Sequence, residues 1–385
     1  MKTGTVELTD EDAAQQSLAR GAPGTALLHI ERAMTGSGSW DTARAHIQQA
    51  VAGPVDAAEH AGLFYGAPAV AFLLHIASPA HPRYQAACDS LYEHVLHLTR
   101  RRLATAADRI ERGEHATFAE FDLFYGLTGL GALLLRRSPG SDVLAGVLRY
   151  TVTLTKPHRH DGLDLPGWWV DHNPDEILPT PGGHANLGMA HGAAGLLALL
   201  SLAAIRSCTV DGQHEAIAVL TDLFDRWRQD SPDGPWWPEW LTRDDLATDR
   251  PARSGASRPS WCYGTVGIAR ALQLAAIATH DPQRQRAAEH ALATSLSDAR
   301  LDQVIDPGIC HGIAGIYQTA YRAAQDSRSP AIGERLPHIA TRLADSLNDR
   351  QGGLLTGSTG VELVRETTRH SAPPRTGWDA CLLIT

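Results

Sequence analysis

Two short stretches hold residues whose types and spacing could do chemistry: Trp261-Cys262-Tyr263-Gly264 and Ile309-Cys310-His311-Gly312. Each sets soft metal ligands directly before a Gly-x-x-Gly turn that opens an apolar, helix-like run. Cys262, Cys310 and His311 together offer two thiolates and one imidazole, three ligands for one tetrahedral zinc ion whose fourth position stays open to water or substrate. A structural zinc normally closes that position with protein, so an open one marks a catalytic ion. Taken singly, each cysteine reads as well as a small buried hydrophobe, and His311 as a satisfied core residue. The common frame shifts the reading, because Cys-Tyr-Gly-Thr-Val-Gly-Ile and Cys-His-Gly-Ile-Ala-Gly-Ile are one motif used twice.

That frame recurs along the whole chain. Its first glycines are Gly21, Gly66, Gly126, Gly192, Gly264, Gly312 and Gly357, at separations of 45, 60, 66, 72, 48 and 45 residues. A period near 45 fits one helical hairpin per repeat. The runs that follow, such as Leu196-Leu197-Ala198-Leu199-Leu200, are apolar nearly all round and predict inner helices. The segments between them, such as 86–102 and 287–299, mix apolar and charged residues and predict outer helices. Glycine at the turn permits positive φ and close backbone approach, so an inner helix can begin abruptly at a rim. No strand alternation of useful length is present. An all-α toroid follows, with inner and outer helices alternating around a central cavity. His191 stands one residue before Gly192, as His311 stands before Gly312, so it should face the same mouth.

Length alone suggests two or three domains for 385 residues. The repeat argues instead for one domain over 1–385, since no single repeat buries its apolar face without neighbours. Rim insertions are expected near 156–184 and 229–259, which hold Trp168, Trp169, Trp236, Trp237 and Trp240. A net charge of −9 and a pI of about 6.1 make nucleic acid an improbable partner. The N-terminus lacks the apolar core of a signal peptide. The longest apolar stretch, 188–205, is interrupted by His191 and Ser201 and reads as a core helix, so an integral membrane protein is not expected. Five irregularly spaced cysteines give no disulfide framework and suit a reducing cytoplasm. His158, His160, His172 and His184 are irregularly spaced in a loop-like insert, and read as surface histidines rather than a second metal site.

Three linked motifs resemble the LanC family of lanthionine synthetases: Asn186-Leu187-Gly188-Met189-Ala190-His191-Gly192, Arg258-Pro259-Ser260-Trp261-Cys262-Tyr263-Gly264 and Cys310-His311-Gly312-Ile313-Ala314-Gly315. The ending Gly377-Trp378-Asp379-Ala380-Cys381-Leu382-Leu383 is similar too, so the resemblance covers essentially the whole chain. It implies a double α-toroid of seven inner and seven outer helices, with zinc on Cys262, Cys310 and His311. The SH2-like extension of some members is expected to be reduced or absent. No dehydratase or kinase-like region precedes the toroid, which fits the stand-alone cyclase of a class I pathway. The implied substrate is a dehydrated lanthipeptide precursor, with a dehydratase and an exporter as further partners. Location is expected in the cytoplasm, at the membrane only through those partners.

The ligand chemistry agrees with that resemblance. Adding a peptide cysteine to dehydroalanine or dehydrobutyrine needs a thiolate, and a free thiol with a pKa of about 8.5 is mostly protonated at neutral pH. Zinc removes that proton and positions the sulfur. Two thiolate ligands leave the ion electron-rich, so the substrate thiolate stays nucleophilic. The enolate formed then needs a proton at the α-carbon, for which an imidazole is a natural acid, and His191 supplies one at the mouth. Asp122, four residues before Gly126, resembles the family aspartate that acts as base or orients a histidine; it also reads as a plain helix cap. Arg258 could bind the enolate oxygen or a substrate carbonyl, and Tyr263 could donate a hydrogen bond there. Tyr65 and Tyr125 hold the same position without metal ligands, which weakens a special role for Tyr263. Two other readings compete. A prenyltransferase subunit would replace one cysteine by a carboxylate, and a non-catalytic relative would hold glutathione or a thiol peptide on zinc.

Overall fold

The computed structural model describes residues 15–174, 177–346 and 352–385. Seven helices open at the repeat glycines: α1 (Ala22–Thr35), α3 (Ala67–Ala77), α5 (Leu127–Arg137), α7 (Ala193–Ile205), α9 (Thr265–Ala278), α11 (Ile313–Asp326) and α13 (Ser358–His370). Between them run α2 (Trp40–Ala50), α4 (Gln85–Glu111), α6 (Asp142–Leu154), α8 (Gln213–Trp227), α10 (Pro282–Ser295) and α12 (Leu336–Asp345). The first set is the inner layer. In α7 every residue from Ala193 to Ala203 is buried, as expected for a helix apolar on all sides. Each inner helix packs on the next, and α13 packs back on α1, so the ring closes. The described residues thus hold seven inner and six outer helices; the place of a seventh outer helix, ahead of α1, lies outside them.

The two layers start differently. Ser39, Ser141 and Asp281 cap α2, α6 and α10 by accepting hydrogen bonds from the first-turn backbone N–H groups, the ordinary solution for a helix entered from solvent. Every inner helix instead starts on glycine without a side-chain cap of its own. Positive φ is not the general reason: Gly66 has φ +70°, but Gly126, Gly192, Gly264, Gly312 and Gly357 are extended. Close approach is the reason. A Cβ at Gly267 would stand 2.0 Å from the Trp261 carbonyl oxygen and one at Gly315 1.8 Å from that of Ile309, so each second glycine lets its helix turn against the strand-like entry six residues back.

Those entries form a girdle around the mouth. The N–H of Cys262 donates to the carbonyl of Cys310 (3.1 Å), Cys310 to Leu355 (2.9 Å), Leu355 to Ala19 (3.3 Å) and Leu18 to Phe64 (2.9 Å). In the same sense, each repeat donating to the next, Leu123 donates to Ala190 (3.1 Å) and Ala190 to Cys262 (3.2 Å). The accepting residue always lies two positions before a repeat glycine. The remaining junction is aromatic: Phe64 and Phe124 meet edge to face at 4.8 Å. Backbone register alone therefore fixes which side chains surround the mouth.

The described residues of the stretches 156–184 and 229–259 carry short pairings and no long helix. β1 (His158–His160) pairs with β2 (Leu163–Leu165), and β3 (Ala185–Asn186) pairs with β4 (Trp240–Leu241). Trp168, Trp169, Trp236 and Trp237 are buried against the ring. The C-terminal residues reach the inner helices: Asp379 accepts from Nε and Nη2 of Arg322 (2.6 and 2.8 Å), and Arg270 holds the Ile384 carbonyl at 3.0 and 2.8 Å. No described helix is long and apolar enough to cross a membrane.

Candidate metal centre and proton donor at the mouth

Cys262 and Cys310 hold the same register position in neighbouring repeats, so the girdle bond between their backbones makes them adjacent. His311 follows Cys310 and turns to the same point: one ligand atom from each of the three lies within 4.8 Å of the others. A tetrahedral ion with thiolate and imidazole ligands spaces its donors roughly 3.5–3.8 Å apart, so the cluster has the right chemistry and nearly the right size. The Cys310 thiol lowers the Cys262 pKa to about 5 by hydrogen bonding, and His311 and Ser260 add to this against the opposing effect of burial. Cys310, bonded to that anion, is pushed up, as is His311. Asp306 Oδ2 lies 3.3 Å from His311 Nε2, the carboxylate–imidazole pairing that orients a metal-binding ring.

Across the mouth, His191 Nδ1 meets Asp122 Oδ2 at 2.6 Å. Asp122 is buried, and its other oxygen accepts from the N–H groups of Tyr125 (2.6 Å) and Gly126 (3.0 Å). Cap and histidine partner are therefore one residue, with one oxygen for each task. The His191 ring is stacked on Phe118 (4.8 Å, 21°) and edged by Phe124 (4.9 Å), while its side chain stays 15% exposed. The Asp122 contact leaves Nε2 as the nitrogen for substrate.

Tyr263 links the two halves. Its ring lies 5.9 Å from that of His191. Burial first, then the Cys262 and Cys310 sulfurs, push its phenol well above the ordinary range, so it stays a neutral donor. Arg258 is exposed; its charge reaches Cys310 and His311, favouring the thiolate and the neutral ring. A cavity of about 510 Å³ opens beside Cys310, walled by Arg20, Phe64, Tyr65, Phe124, Tyr125 and Thr356 among others. These are again the one or two residues before repeat glycines.

All seven residues singled out in the sequence thus belong to this mouth or its rim. Missed by sequence reading were Asp306, Ser260 and Phe118. Ser260 was findable, since it stands four residues before Gly264 as Asp122 stands before Gly126. Phe118 had no register signal. Of the insert histidines, His160 and His172 are exposed as expected and His158 is partly buried, but His184 is fully buried, because its backbone pairs with Val170 (2.9 and 3.0 Å) and its ring packs on Phe118 (5.6 Å). His172 packs on Phe118 as well, at 4.5 Å.

Comparison with known proteins gives a consistent picture. The profile of the family described as lanthionine synthetase C-like protein matches residues 12–383. The nisin biosynthesis protein NisC of Lactococcus lactis subsp. lactis is 24% identical over 336 residues, spanning 84% of this chain and 77% of that protein. The solved structure of nisin cyclase shares the fold with a TM-score of 0.83 at 20% identity, over 96% of this chain and 92% of that one.

Proposed function

Because the chain belongs to the lanthionine synthetase C-like family, we propose that it is a zinc-dependent peptide cyclase. Its substrate is a precursor peptide carrying cysteines and dehydrated serine or threonine residues, and its product is a lanthionine or methyllanthionine thioether ring. The observation that carries this reading is the convergence of Cys262, Cys310 and His311 opposite an Asp122-oriented His191 at one mouth. A thiol-binding protein without catalysis needs the first feature and not the second. The toroid is read as one domain over 1–385.

Cys262, Cys310 and His311 would hold a zinc ion, which when bound would favour loss of a substrate cysteine's proton to solvent and keep its sulfur nucleophilic. The chain's own residues do the rest. The cavity beside Cys310 receives the peptide against aromatic walls. A C–S bond forms at the β-carbon of the dehydro residue, and the C=C electron pair moves toward the α-carbon and its carbonyl. Arg258, exposed at the rim, and the neutral Tyr263 phenol stabilise the charge on that carbonyl oxygen. His191 delivers the proton from Nε2 to the α-carbon, and Asp122 on Nδ1 stabilises the imidazolium from which it leaves. Overall, S–H adds across C=C, with no oxidant or further reactant.

The test uses the purified protein and a dehydrated precursor peptide, following free thiols and ring formation. About one zinc at this mouth and steady thiol loss are expected. His191→Ala should keep the zinc yet slow cyclisation by about 10²–10⁴-fold, or scramble α-carbon configuration. Thiol binding without thioether formation would instead establish the non-catalytic reading.

A further inference from the structure

The hairpin β1–β2 carries chemistry that the cyclase reading leaves unused. His158 pairs with Leu165 and His160 with Leu163, and residues i and i+2 of a strand lie on one face, so the two histidines share that face. His115, in the turn after α4, stands against both: its ring centroid lies 4.9 Å from that of His158 and 5.0 Å from that of His160. Its Nδ1 is bonded to the two carboxylate oxygens of Asp171 at 2.8 and 2.9 Å. That contact commits Nδ1 and leaves Nε2 on the opposite side of the ring. His115 Nε2 and His158 Nε2 are both buried, and neither has a hydrogen-bond partner. Buried polar nitrogens without partners are uncommon and call for a ligand.

We propose that His115, His158 and His160 form a second metal site, for a divalent transition ion, with Asp171 orienting His115. Imidazoles bound through nitrogen at about 2.0–2.1 Å to a tetrahedral ion set their ring centres roughly 5 Å apart, the separation seen for both pairs. A carboxylate on the outer nitrogen of a ligating histidine fixes its tautomer and raises its basicity. An all-imidazole set suits zinc, copper or nickel. The nitrogens converge less than at the mouth, where alone among the described residues three ligand atoms lie within 4.8 Å. Rotation of the His158 and His160 rings would bring them inward with the backbone in place, and His160 is exposed, its one ion-pair partner being the surface carboxylate of Asp161. The neighbouring Arg109 is already matched by Glu120, which it grips at 2.6 and 3.1 Å. Asp161 lies 3.2 Å from His160 Nε2, and the same oxygen is paired with Arg243 at 3.2 Å, so that cation too is matched.

Such an ion clips the hairpin to the turn after α4, and the clip leads toward the mouth. Asp171 is followed by His172, whose ring packs on Phe118, and Phe118 is the ring on which His191 is stacked. The site would hold the wall of the proton-donating half without touching the reacting atoms.

The experiment titrates metal-free, full-length protein with zinc and, in parallel, with cobalt, whose thiolate charge-transfer band reports the mouth and whose ligand-field bands report both sites. Two equivalents are expected. The double substitution His158→Ala/His160→Ala should remove one and leave the charge-transfer band; Cys310→Ala should remove the other together with that band. His160→Ala alone, at an exposed position, should weaken the second equivalent by about tenfold or more in a protein of unchanged helicity. A single equivalent in the wild type that the double substitution leaves intact, or two that it leaves intact, overturns the proposal. A single equivalent that Cys310→Ala leaves in place and the double substitution removes would support this site and refute the mouth.

Discussion

Asp122 and Ser260 stand at the same place in two repeats, four residues before the glycine that opens an inner helix. Both accept the backbone N–H of that glycine, at 3.0 Å in Gly126 and 2.9 Å in Gly264, and of the tyrosine before it, at 2.6 and 3.4 Å. Ser260 has one oxygen, which also lies 3.7 Å from Cys262 Sγ. Asp122 has two, and the second reaches across to His191. One register position thus holds a helix start at one copy, and a helix start plus a histidine at another. The difference is a single acceptor atom carrying negative charge. Repetition makes the scaffold, and small departures from it make the site.

The comparison breaks most completely at the metal half. Cys310→Ala should take zinc at the mouth from about one equivalent to none, and ring formation with it, while the helical circular dichroism stays near wild type. The girdle bond at Cys310 uses backbone atoms, so the fold does not need the sulfur. Retained cyclisation in the metal-free variant would separate the cluster from the chemistry. The next largest effect isolates the second oxygen. Asp122→Ser converts this copy into the Ser260 arrangement, keeping a cap and releasing His191. Cyclisation should fall by about 10²–10⁴-fold with zinc unchanged, and Asp122→Asn should not recover the loss, because its one carbonyl oxygen serves the backbone N–H groups and its amide NH2 can only donate toward His191 Nδ1. Equal rates for Asp122→Ser and wild type would return Asp122 to a capping role.

The sequence showed the metal half more fully than the acid half, for a physical reason. Cys262, Cys310 and His311 derive their closeness from register, and register is written in the spacing of glycines. The ring, the inner layer and the mouth follow from the same spacing. His191 needed more: its setting depends on Phe118, from a single helical turn at Phe118–Phe121, and on a rim insert with no repeat. Nothing in that insert's spacing said that His184 would be fully buried, or that His115, over forty residues upstream, would meet His158 and His160. The role of the repeat glycines was also only half legible. Close approach was expected and found, whereas positive φ occurs at Gly66 and not at the other inner-helix starts whose φ is given above.

Acid should strike the two halves differently. Burial holds His184 down to about 4 from 6.5, with a smaller push from His172. Above pH 6.5 neither folded nor unfolded chain protonates it, so it contributes nothing there. Between pH 6.5 and 4 the unfolded chain binds a proton that the folded one refuses, and stability falls as pH falls, by roughly 3 kcal/mol at most for this residue. Melting curves of metal-free protein should show that loss, and His184→Gln should flatten it at some cost in stability at neutral pH. An unchanged pH slope in that variant would locate the acid sensitivity elsewhere, including at His29 and His75, also lowered to about 4 mainly by burial, and at His158, lowered first by burial too.

The smallest effect falls on Ser260. Ser260→Ala removes the acceptor from the start of α9 and leaves the N–H groups of Tyr263 and Gly264 without it, which should cost about 1 kcal/mol, as at other helix N-termini. Because the same oxygen lies beside Cys262 Sγ, zinc at the mouth should also be held slightly less firmly, seen as faster release to a chelator. Cyclisation by the zinc-loaded variant should remain within a few-fold of wild type, since no proton of the reaction passes through Ser260. Asp122→Ser and Ser260→Ala therefore make a matched pair, one lowering rate with the cap kept and the other lowering stability with the rate kept. A Ser260→Ala enzyme as slow as Asp122→Ser would mean that the start of each inner helix, rather than the second oxygen of Asp122, governs catalysis.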